Sequence, residues 1–318
     1  MPRTKRKISI IGCGNVGIRY AYALAIKGIA REIVLVDIDK NRTIGEAEDL
    51  SHTAPYTSPV EIIAGGYADM RDSDLVVITA GKKQKPGETR ADLAKDNVEL
   101  YKKMIPEVMK YAPAAIFLIV SNPVDALSYA AYKISGKPSR EVIGSGTVLD
   151  SARFRFLLGK HCGVDPRNVH AYILGEHGDS EFAVWSGAMI GGVLFKDYCH
   201  VCRNAYTCGH EKGFQKIFSE VKNSGYSIIE KKGETSSCIG LALVRITQAI
   251  MNDENAVLPV SSLVNNYLGL DDVYLSIPAV VNGSGVREIL RVELNDKERE
   301  ELRQSAEAIK KIISEAHI

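Results

Sequence analysis

Residues 175–180 read Gly-Glu-His-Gly-Asp-Ser, which places one histidine between two glycines in an acidic segment. A histidine side chain titrates near neutral pH, so it can donate and accept protons under ordinary conditions. The flanking glycines add no bulk beside the imidazole, and a substrate can approach it closely. His177 is therefore the first candidate for a group that moves a proton.

The second pattern with chemical meaning is the glycine turn Gly12-x-Gly14-x-x-Gly17, which follows an apolar strand and opens a helix. Such glycines let a pyrophosphate approach the backbone N–H groups at the helix N-terminus. Asp37 follows where its carboxylate can bind the adenosine ribose and repel a 2′-phosphate, so NAD is favoured over NADP. Arg42 lies nearby and keeps that preference open. The predicted cofactor-binding residues of this region are Gly12, Gly14, Asn15, Val16, Gly17 and Asp37.

Three further features follow predicted strands or begin helices, where α/β enzymes place their chemistry. Residues 79–90 form a polar, glycine-bearing stretch with the composition of a mobile lid, and Arg90 ends it. Asn122 follows another strand and precedes Pro123. Asp150 and Arg153 are one helical turn apart, so both project from the same helix face. With His177 they supply several roles of a single reaction.

The order and the residues of these motifs are similar to those of the lactate/malate dehydrogenase family, over essentially the whole chain. Within the family, the chain resembles bacterial L-lactate dehydrogenases. The motifs that carry the resemblance are Gln-Lys-Pro-Gly-Glu-Thr-Arg at 84–90, Asn-Pro-Val-Asp at 122–125, Asp-Ser-Ala-Arg-Phe-Arg at 150–155 and Gly-Glu-His-Gly-Asp at 175–179. Several independent motifs in the same order make the resemblance specific.

The resemblance implies reversible hydride transfer between NADH and pyruvate, giving (S)-lactate, and it assigns catalytic roles. His177 would donate the proton to the keto oxygen, and Asp150 would orient the imidazole and favour its charged form. Arg153 would bind the substrate carboxylate with its planar guanidinium. Arg90 would move in with the lid and stabilise the negative charge that grows on the carbonyl oxygen.

Three other residues take roles from the same resemblance. Asn122 would hydrogen-bond in the pocket that substrate and cofactor share. Thr235 and Ile239 match positions that line the substrate and the nicotinamide, respectively.

Gln84 is the residue that bears most on substrate choice. The resemblance places an arginine at this position in malate-specific relatives, where it pairs the second carboxylate of oxaloacetate. A closed lid over a neutral glutamine would leave that carboxylate unpaired, at a cost of several kcal/mol. Gln84 thus predicts pyruvate as substrate, although the adjacent cation of Lys85 could face inward if the lid took another register.

Arg155 and His170 match positions that bind fructose 1,6-bisphosphate across a subunit interface in many bacterial lactate dehydrogenases. Two cations suit a phosphate group. Related enzymes without this control carry an arginine and a histidine there too, so activation stays an open alternative. The family that the chain resembles forms dimers and tetramers, and we expect a homotetramer.

The elements that position these residues follow from the pattern of apolar runs. Residues 7–11, 33–36, 60–64, 75–79 and 116–120 are predicted strands separated by helical stretches, a rhythm typical of a parallel sheet covered on both faces. Long helices and a hairpin around residues 282–285 follow, and a helix over 296–316 that Asn295 could cap closes the chain. We expect a Rossmann-type, doubly wound α/β domain over residues 1–146 and an α+β catalytic domain over 147–318.

Composition bounds the location and the partners. The chain has 318 residues and a net charge of only +1, so we expect neither a nucleic acid nor an anionic membrane as a partner. The apolar runs are too short to span a membrane and the start lacks the pattern of a signal peptide, so we expect a cytoplasmic protein. Cys199, Cys202, Cys208 and His210 have spacing that could suit zinc, but one Cys-x-x-Cys half without a matched second half favours no metal.

Other functions stay possible from the sequence. Within the enzyme class these are a malate dehydrogenase or a broader 2-hydroxy acid dehydrogenase. NAD-dependent glycosidases share a similar nucleotide-binding half, but the chain has no cysteine beside Asn122 and Pro123 for their metal. A non-catalytic NAD-binding protein would not need Asp150, Arg153 and His177 together.

Overall fold

A nine-stranded sheet forms the centre of the protein, in a computed structural model that describes residues 6–83, 87, 89–198 and 211–318. Its first six strands pair in parallel, in the order β3-β2-β1-β4-β5-β6. They are β1 (Lys7–Ile11), β2 (Glu32–Val36), β3 (Glu61–Ala64), β4 (Leu75–Ile78), β5 (Ile116–Ile119) and β6 (Val142–Gly144). The order reverses between β1 and β4, and ligands bind at such a switch point in open α/β sheets.

Helices cover both faces of this parallel sheet. The helices are α1 (Asn15–Lys27), α2 (Lys40–Ser51), α3 (Arg90–Tyr111) and α4 (Val124–Ser135). Side chains alternate along each strand, so Leu75 and Val77 join one apolar cluster, whereas Val76 and Ile78 join the cluster on the other face. Burial on both faces explains why these strands are continuous apolar runs, and it confirms the predicted doubly wound fold.

Three antiparallel strands extend the sheet past β6: β12 (Ala256–Val264), β13 (Val273–Asn282) and β14 (Gly285–Ile289). The hairpin between β13 and β14 is the predicted one. β12 was not predicted from the sequence, because Pro259 and two serines interrupt its apolar pattern. Pro259 lies opposite Pro278 in the ladder, so both residues without an N–H occupy the same rung.

The rest of the second half surrounds these strands. Its helices are α5 (Val148–Cys162), α6 (Phe195–Tyr198), α7 (Glu211–Lys232), α8 (Ser237–Met251) and α9 (Asp296–Glu315). Short strands make two small sheets from β7 (Val169–His170), β8 (Ile173–Leu174), β9 (Phe182–Ala183), β10 (Met189–Ile190) and β11 (Val193–Leu194). Asn295 caps α9 as predicted, since its Oδ1 accepts from the Glu298 N–H at 2.9 Å.

Among the described residues, no helix combines the length and the apolar character needed to cross a membrane. Cys199, Cys202, Cys208 and His210, the residues weighed above as zinc ligands, lie outside the described residues, as do Gln84 and Lys85.

Candidate active site

The glycine turn between β1 and α1 has the shape that a bound pyrophosphate requires. A Cβ at Gly17 would lie 2.0 Å from the carbonyl oxygen of Gly12, so a side chain there would break the turn. A Cβ at Gly14 would meet nothing within 4 Å, which leaves open space beside the helix N-terminus. The first turn of α1 carries no acidic residue and no side-chain cap. Its N–H groups can therefore bind an anion.

Asp37 lies beside this turn, directly after β2. Its Oδ2 accepts from the Cys13 N–H at 2.5 Å, and its Oδ1 accepts from the Asp39 N–H at 3.0 Å. These bonds hold a carboxylate next to the turn, where it can receive the ribose hydroxyls of NAD. Together with the open space at Gly14, they show that the residues present fit the cofactor.

Hydrogen bonds link the glycine turn to the neighbouring strand ends. Thr79 Oγ1, just after β4, donates to the Gly12 carbonyl at 2.7 Å. Ser121 Oγ, after β5, donates to the Ala80 carbonyl at 2.6 Å. The carboxyl ends of β1, β4 and β5 thus form one connected rim at the switch point of the sheet.

His177 lies in the loop between β8 and β9, and two aspartates hold it in place. Its ring Nδ1 is 2.6 Å from Oδ2 of Asp150, near the start of α5. Its backbone N–H donates to Oδ2 of Asp125, in the first turn of α4, at 2.8 Å. The His177 side chain is 24% exposed, whereas that of Asp150 is 3% exposed. The imidazole can therefore be reached while its partner is sealed from water.

The electrostatics of this pair favour the charged imidazole. Burial alone would lower the pKa of His177, but the carboxylate of Asp150, together with those of Glu181 and Asp125, outweighs burial and raises it to about 9. Burial likewise opposes ionisation of Asp150, but His177 and then Arg153 keep its pKa below the ordinary value. An imidazolium beside a sealed carboxylate is a proton donor whose orientation is set by its partner.

Arg153 joins the pair from the same face of α5, as the one-turn spacing predicts. Its Nη1 donates to Oδ1 of Asp150 at 2.9 Å, and its side chain is 13% exposed. Asp150 therefore binds a different cation with each carboxylate oxygen, which brings the guanidinium and the imidazole to one site. A guanidinium there can bind a substrate carboxylate with its remaining N–H groups.

Arg90, the first residue of α3, contacts the acids that lie on both sides of His177 in the loop. Its guanidinium lies 3.3 Å from a carboxylate oxygen of Glu176 and 3.3 Å from one of Asp179. A Cβ at Gly178 would lie 2.3 Å from Nη1 of Arg90, so only glycine allows this approach. The structure thus brings Arg90 and His177 together, with Arg90 held by the two acids of the Gly-Glu-His-Gly-Asp motif.

The other predicted pocket residues lie around this centre. Asn122 is exposed at the rim, and its carbonyl accepts from Asn97 Nδ2 at 2.9 Å. Thr235 is half-buried and lies two residues before α8 begins. Ile239, in the first turn of α8, belongs to the same apolar cluster as Cys13 of the glycine turn. Gln84 lies outside the described residues, so its predicted role stays a prediction.

Arg155 and His170 lie away from this centre. Arg155 Nη2 donates to the Pro166 carbonyl at 3.4 Å, and its buried Nε has no hydrogen-bond partner among the described residues. His170 is exposed on β7, which packs against α5.

Three residues around the His177 loop occupy positions that were not predicted from the sequence. Asp125 is buried and also accepts from Ser261 Oγ at 2.5 Å, which makes it a bridge between α4, the loop and β12. Ser305 of α9 accepts from the Glu176 N–H at 2.6 Å. Glu181 is buried within reach of His177 and Asp150. The sequence signal for Glu181 is an acid directly before the apolar run of Phe182, Ala183 and Val184, which indicates a buried position. No local sequence pattern indicates a role for Ser305.

Asp150, His177 and Glu181 offer three atoms close enough together to be considered as metal ligands. The 2.6 Å between His177 Nδ1 and Asp150 Oδ2 argues otherwise. Two ligands of a tetrahedral metal ion would stand roughly 3.3 Å apart, given bonds of about 2.0–2.2 Å. The observed separation is that of a charge-assisted hydrogen bond.

Comparison with known proteins gives a consistent result along the chain. Residues 6–144 match the family model described as lactate/malate dehydrogenase, NAD binding domain. Residues 147–317 match the model described as lactate/malate dehydrogenase, alpha/beta C-terminal domain.

Individual relatives agree with these matches. The chain is 52% identical to an L-lactate dehydrogenase of Thermoanaerobacter sp. (strain X514), over 98% of this chain and 99% of the relative. It is 50% identical to one from Clostridium botulinum (strain Loch Maree / Type A3), over 99% and 98%. Among solved structures, a lactate dehydrogenase from a Medee basin deep-sea metagenome library superposes with a TM-score of 0.95 at 43% identity, covering 99% of both chains. The ligand-bound minor L-lactate dehydrogenase from Enterococcus mundtii gives a TM-score of 0.93 at 40% identity, covering 98% of both.

Two family models together span nearly the whole chain, and relatives are about half identical to it over their full length. Both findings agree with the glycine turn that fits NAD and with the pairing of His177 and Asp150. The chain belongs to the lactate/malate dehydrogenase family and is an NAD-dependent oxidoreductase.

Proposed function

We propose that the protein is an L-lactate dehydrogenase, which reduces pyruvate to (S)-lactate with NADH and catalyses the reverse reaction. The observation that carries the proposal is the Asp150 carboxylate, which binds the His177 imidazole at 2.6 Å and the Arg153 guanidinium at 2.9 Å. This arrangement supplies a proton donor and a carboxylate-binding cation at one site. The L-lactate dehydrogenase name of relatives about half identical supports the same reaction.

In the proposed mechanism, Arg153 binds the carboxylate of pyruvate. With Nδ1 of His177 bound to Asp150, Nε2 is the ring nitrogen that donates a proton to the keto oxygen. NADH, when bound, supplies the hydride that reduces the carbonyl carbon. Arg90 stabilises the charge that develops on the oxygen before the proton arrives. In the reverse direction neutral His177 accepts the hydroxyl proton of lactate.

Most of the cofactor-binding residues would lie in the first half and His177, Arg153 and Thr235 of the substrate site in the second, with the boundary at residues 146 and 147. Gln84 and Arg90 would contact the substrate from the first half. Gly12, Gly14, Asn15, Val16 and Gly17 would bind the pyrophosphate, and Asp37 would bind the ribose. Asn122 and Ile239 would border the nicotinamide, and Gln84 and Thr235 would border the substrate. The two family models, which meet between residues 144 and 147, support this division.

The test is the rate of NADH oxidation with pyruvate and with oxaloacetate, followed by chiral analysis of the product. We expect a higher kcat/KM for pyruvate and (S)-lactate as product. A higher kcat/KM for oxaloacetate would contradict the proposal in favour of a malate dehydrogenase. Comparable values for several larger 2-oxo acids would favour a broader 2-hydroxy acid dehydrogenase.

Fructose 1,6-bisphosphate is the proposed activator, bound by Arg155 and His170. Support comes from the exposed imidazole of His170 on β7, which packs against α5, the helix that carries Arg155. The guanidinium and the imidazole can both donate to a phosphate. Titration of fructose 1,6-bisphosphate at low pyruvate is expected to raise the rate, and a flat titration removes the activator from the proposal.

A homotetramer in the cytoplasm completes the proposal. Exposed apolar side chains on α1 and α8, two helices that pack together, support contact between subunits: Tyr22, Ile26 and Leu241. The expected mass in solution is four chains of 34.8 kDa each, measured by light scattering. A monomer mass would contradict this part of the proposal.

A further inference from the structure

Glu181 is a second buried carboxyl group beside the His177–Asp150 pair. The residue is 6% exposed and lies just before β9, with its N–H donating to the Gly178 carbonyl at 3.2 Å. One carboxylate oxygen of Glu181, one of Asp150 and one ring nitrogen of His177 all lie within 4.8 Å of one another. At such distances in a sheltered site, the charge of each group changes the ionisation of the others.

Charged groups from several elements face this cluster. The electrostatic neighbours of Glu181 are Asp150 and Arg153 on α5, His177 on the loop and Lys222 on α7. His177 also faces Asp125 on α4, and the Asp150–Arg153 pair faces Cys238 on α8. Lys222 is shared with Glu301 of α9, and its Nζ donates to the Asp179 carbonyl at 2.6 Å.

The neighbouring charges couple the ionisation of Glu181 to that of His177. Burial and the negative charge of Asp150 raise the pKa of Glu181 to about 8, although His177, Lys222 and Arg153 act in the opposite direction. Burial lowers the pKa of His177, and Glu181 acts with Asp150 to raise it. The two groups titrate in neighbouring pH ranges, and the charge of one favours the charge of the other.

We propose that Glu181 is a positioning residue, whose carboxylate acts with that of Asp150 to hold His177 in its proton-bearing form. The inference rests on the proposed role of His177 as proton donor. Above the Glu181 pKa of about 8, and while the imidazole is charged, two carboxylates face the two cations His177 and Arg153. When the imidazole is neutral, the same carboxylates share the cations Arg153 and Lys222. Glu181 thus extends pyruvate reduction toward alkaline pH.

Glu181→Gln tests the proposal, because it removes the charge and keeps the shape. In this variant, the fall of kcat/KM for pyruvate at alkaline pH is expected to occur at a pH lower by about 1 unit, because His177 has lost a neighbouring opposite charge. Glu181→Asp is expected to restore most of that range. Glu301→Gln is the matched control, since Glu301 also faces Lys222 and is half-buried but lies outside the cluster. Its pH profile is expected to match that of the unmodified enzyme.

A readout without turnover separates this inference from the proposed function. In the free enzyme, the NMR titration of the His177 imidazole is expected to move to lower pH in Glu181→Gln and not in Glu301→Gln. If the enzyme fails to reduce pyruvate, the proposed function is wrong, but this titration still tests the coupling. If pyruvate is reduced and both the profile and the titration are unchanged in Glu181→Gln, the inference is wrong and the proposed function stands.

Linkage between two sites is reciprocal, which supplies a test that does not require Glu181→Gln to fold. The NMR titration of the Glu181 carboxyl carbon is expected to move to higher pH in His177→Asn, because the favourable imidazolium is lost. An unchanged Glu181 titration in that variant would overturn the inference.

Discussion

Asp150 Oδ2 lies 2.6 Å from His177 Nδ1, although the two residues are 27 positions apart in the chain. The other oxygen of the same carboxylate binds Arg153, and its side chain is almost entirely buried. Because one carboxylate orients both the proton donor and the guanidinium, a change at Asp150 affects two roles at once.

Asp150→Asn is expected to lower kcat/KM for pyruvate at neutral pH by roughly 100-fold or more. The charge of Asp150 raises the pKa of His177, so its removal lets the imidazole lose its proton at lower pH. Pyruvate reduction needs the protonated imidazole. The pH above which kcat/KM falls should therefore be lower in this variant. A pH series of kcat/KM measures both effects.

Asp165→Asn is the matched control for that variant, because Asp165 also pairs with an arginine, Arg167 at 2.6 Å, but on the surface. It is expected to keep the profile of the unmodified enzyme. An Asp150→Asn profile that falls in amplitude without moving along the pH axis would contradict an electrostatic role for Asp150.

His177→Asn is expected to reduce kcat by about 100- to 10,000-fold, because the proton donor is removed. NADH binding, measured by fluorescence titration, is expected to stay within about twofold, since the predicted cofactor residues lie on other elements. His52→Asn, an exposed position at the end of α2, is the control and should keep full activity. Loss of NADH binding in His177→Asn would assign the residue a structural or cofactor-binding role instead.

Gln84→Arg is expected to move the preference from pyruvate toward oxaloacetate, because a cation in the closed lid would pair the second carboxylate. The measurement is the ratio of kcat/KM for the two substrates. Lys85→Gln is the control for the alternative lid register and is expected to leave that ratio unchanged. If Lys85→Gln changes the ratio and Gln84→Arg does not, the adjacent cation faces the substrate.

Two glycines of the same turn are expected to respond differently to alanine. Gly17→Ala forces a Cβ to within 2.0 Å of the Gly12 carbonyl oxygen and should lower the free energy of unfolding by at least about 1–3 kcal/mol. Gly14→Ala meets no atom within 4 Å, so the fold should be kept. Its methyl group would occupy the space proposed for the pyrophosphate, and NADH should bind roughly tenfold more weakly.

Urea unfolding and NADH titration of both variants measure these effects. Gly14→Ala with unchanged NADH affinity would exclude the open space at this glycine as the site of the pyrophosphate.

Features that depend on neighbours in the sequence were predicted correctly. The glycine turn, the projection of Asp150 and Arg153 from one face of α5 and the cap of α9 by Asn295 all involve residues within one or two helical turns. Their geometry follows from local backbone structure, so spacing alone specifies it. The alternation of apolar runs and helices predicted the parallel sheet for the same reason.

The sequence by itself determined the family, the cofactor turn and the residue types of the site. Only the tertiary structure decided which other acids join Asp150 around His177. Asp125 accepts from the N–H of His177, which is 52 positions away in the chain. Ser305 accepts from the N–H of Glu176, which is 129 positions away. No local pattern specifies such contacts, because they form only when α4, α9 and the loop pack around a common core. The buried position of Glu181 beside Asp150 is a product of that packing, and the ionisation of His177 depends on it.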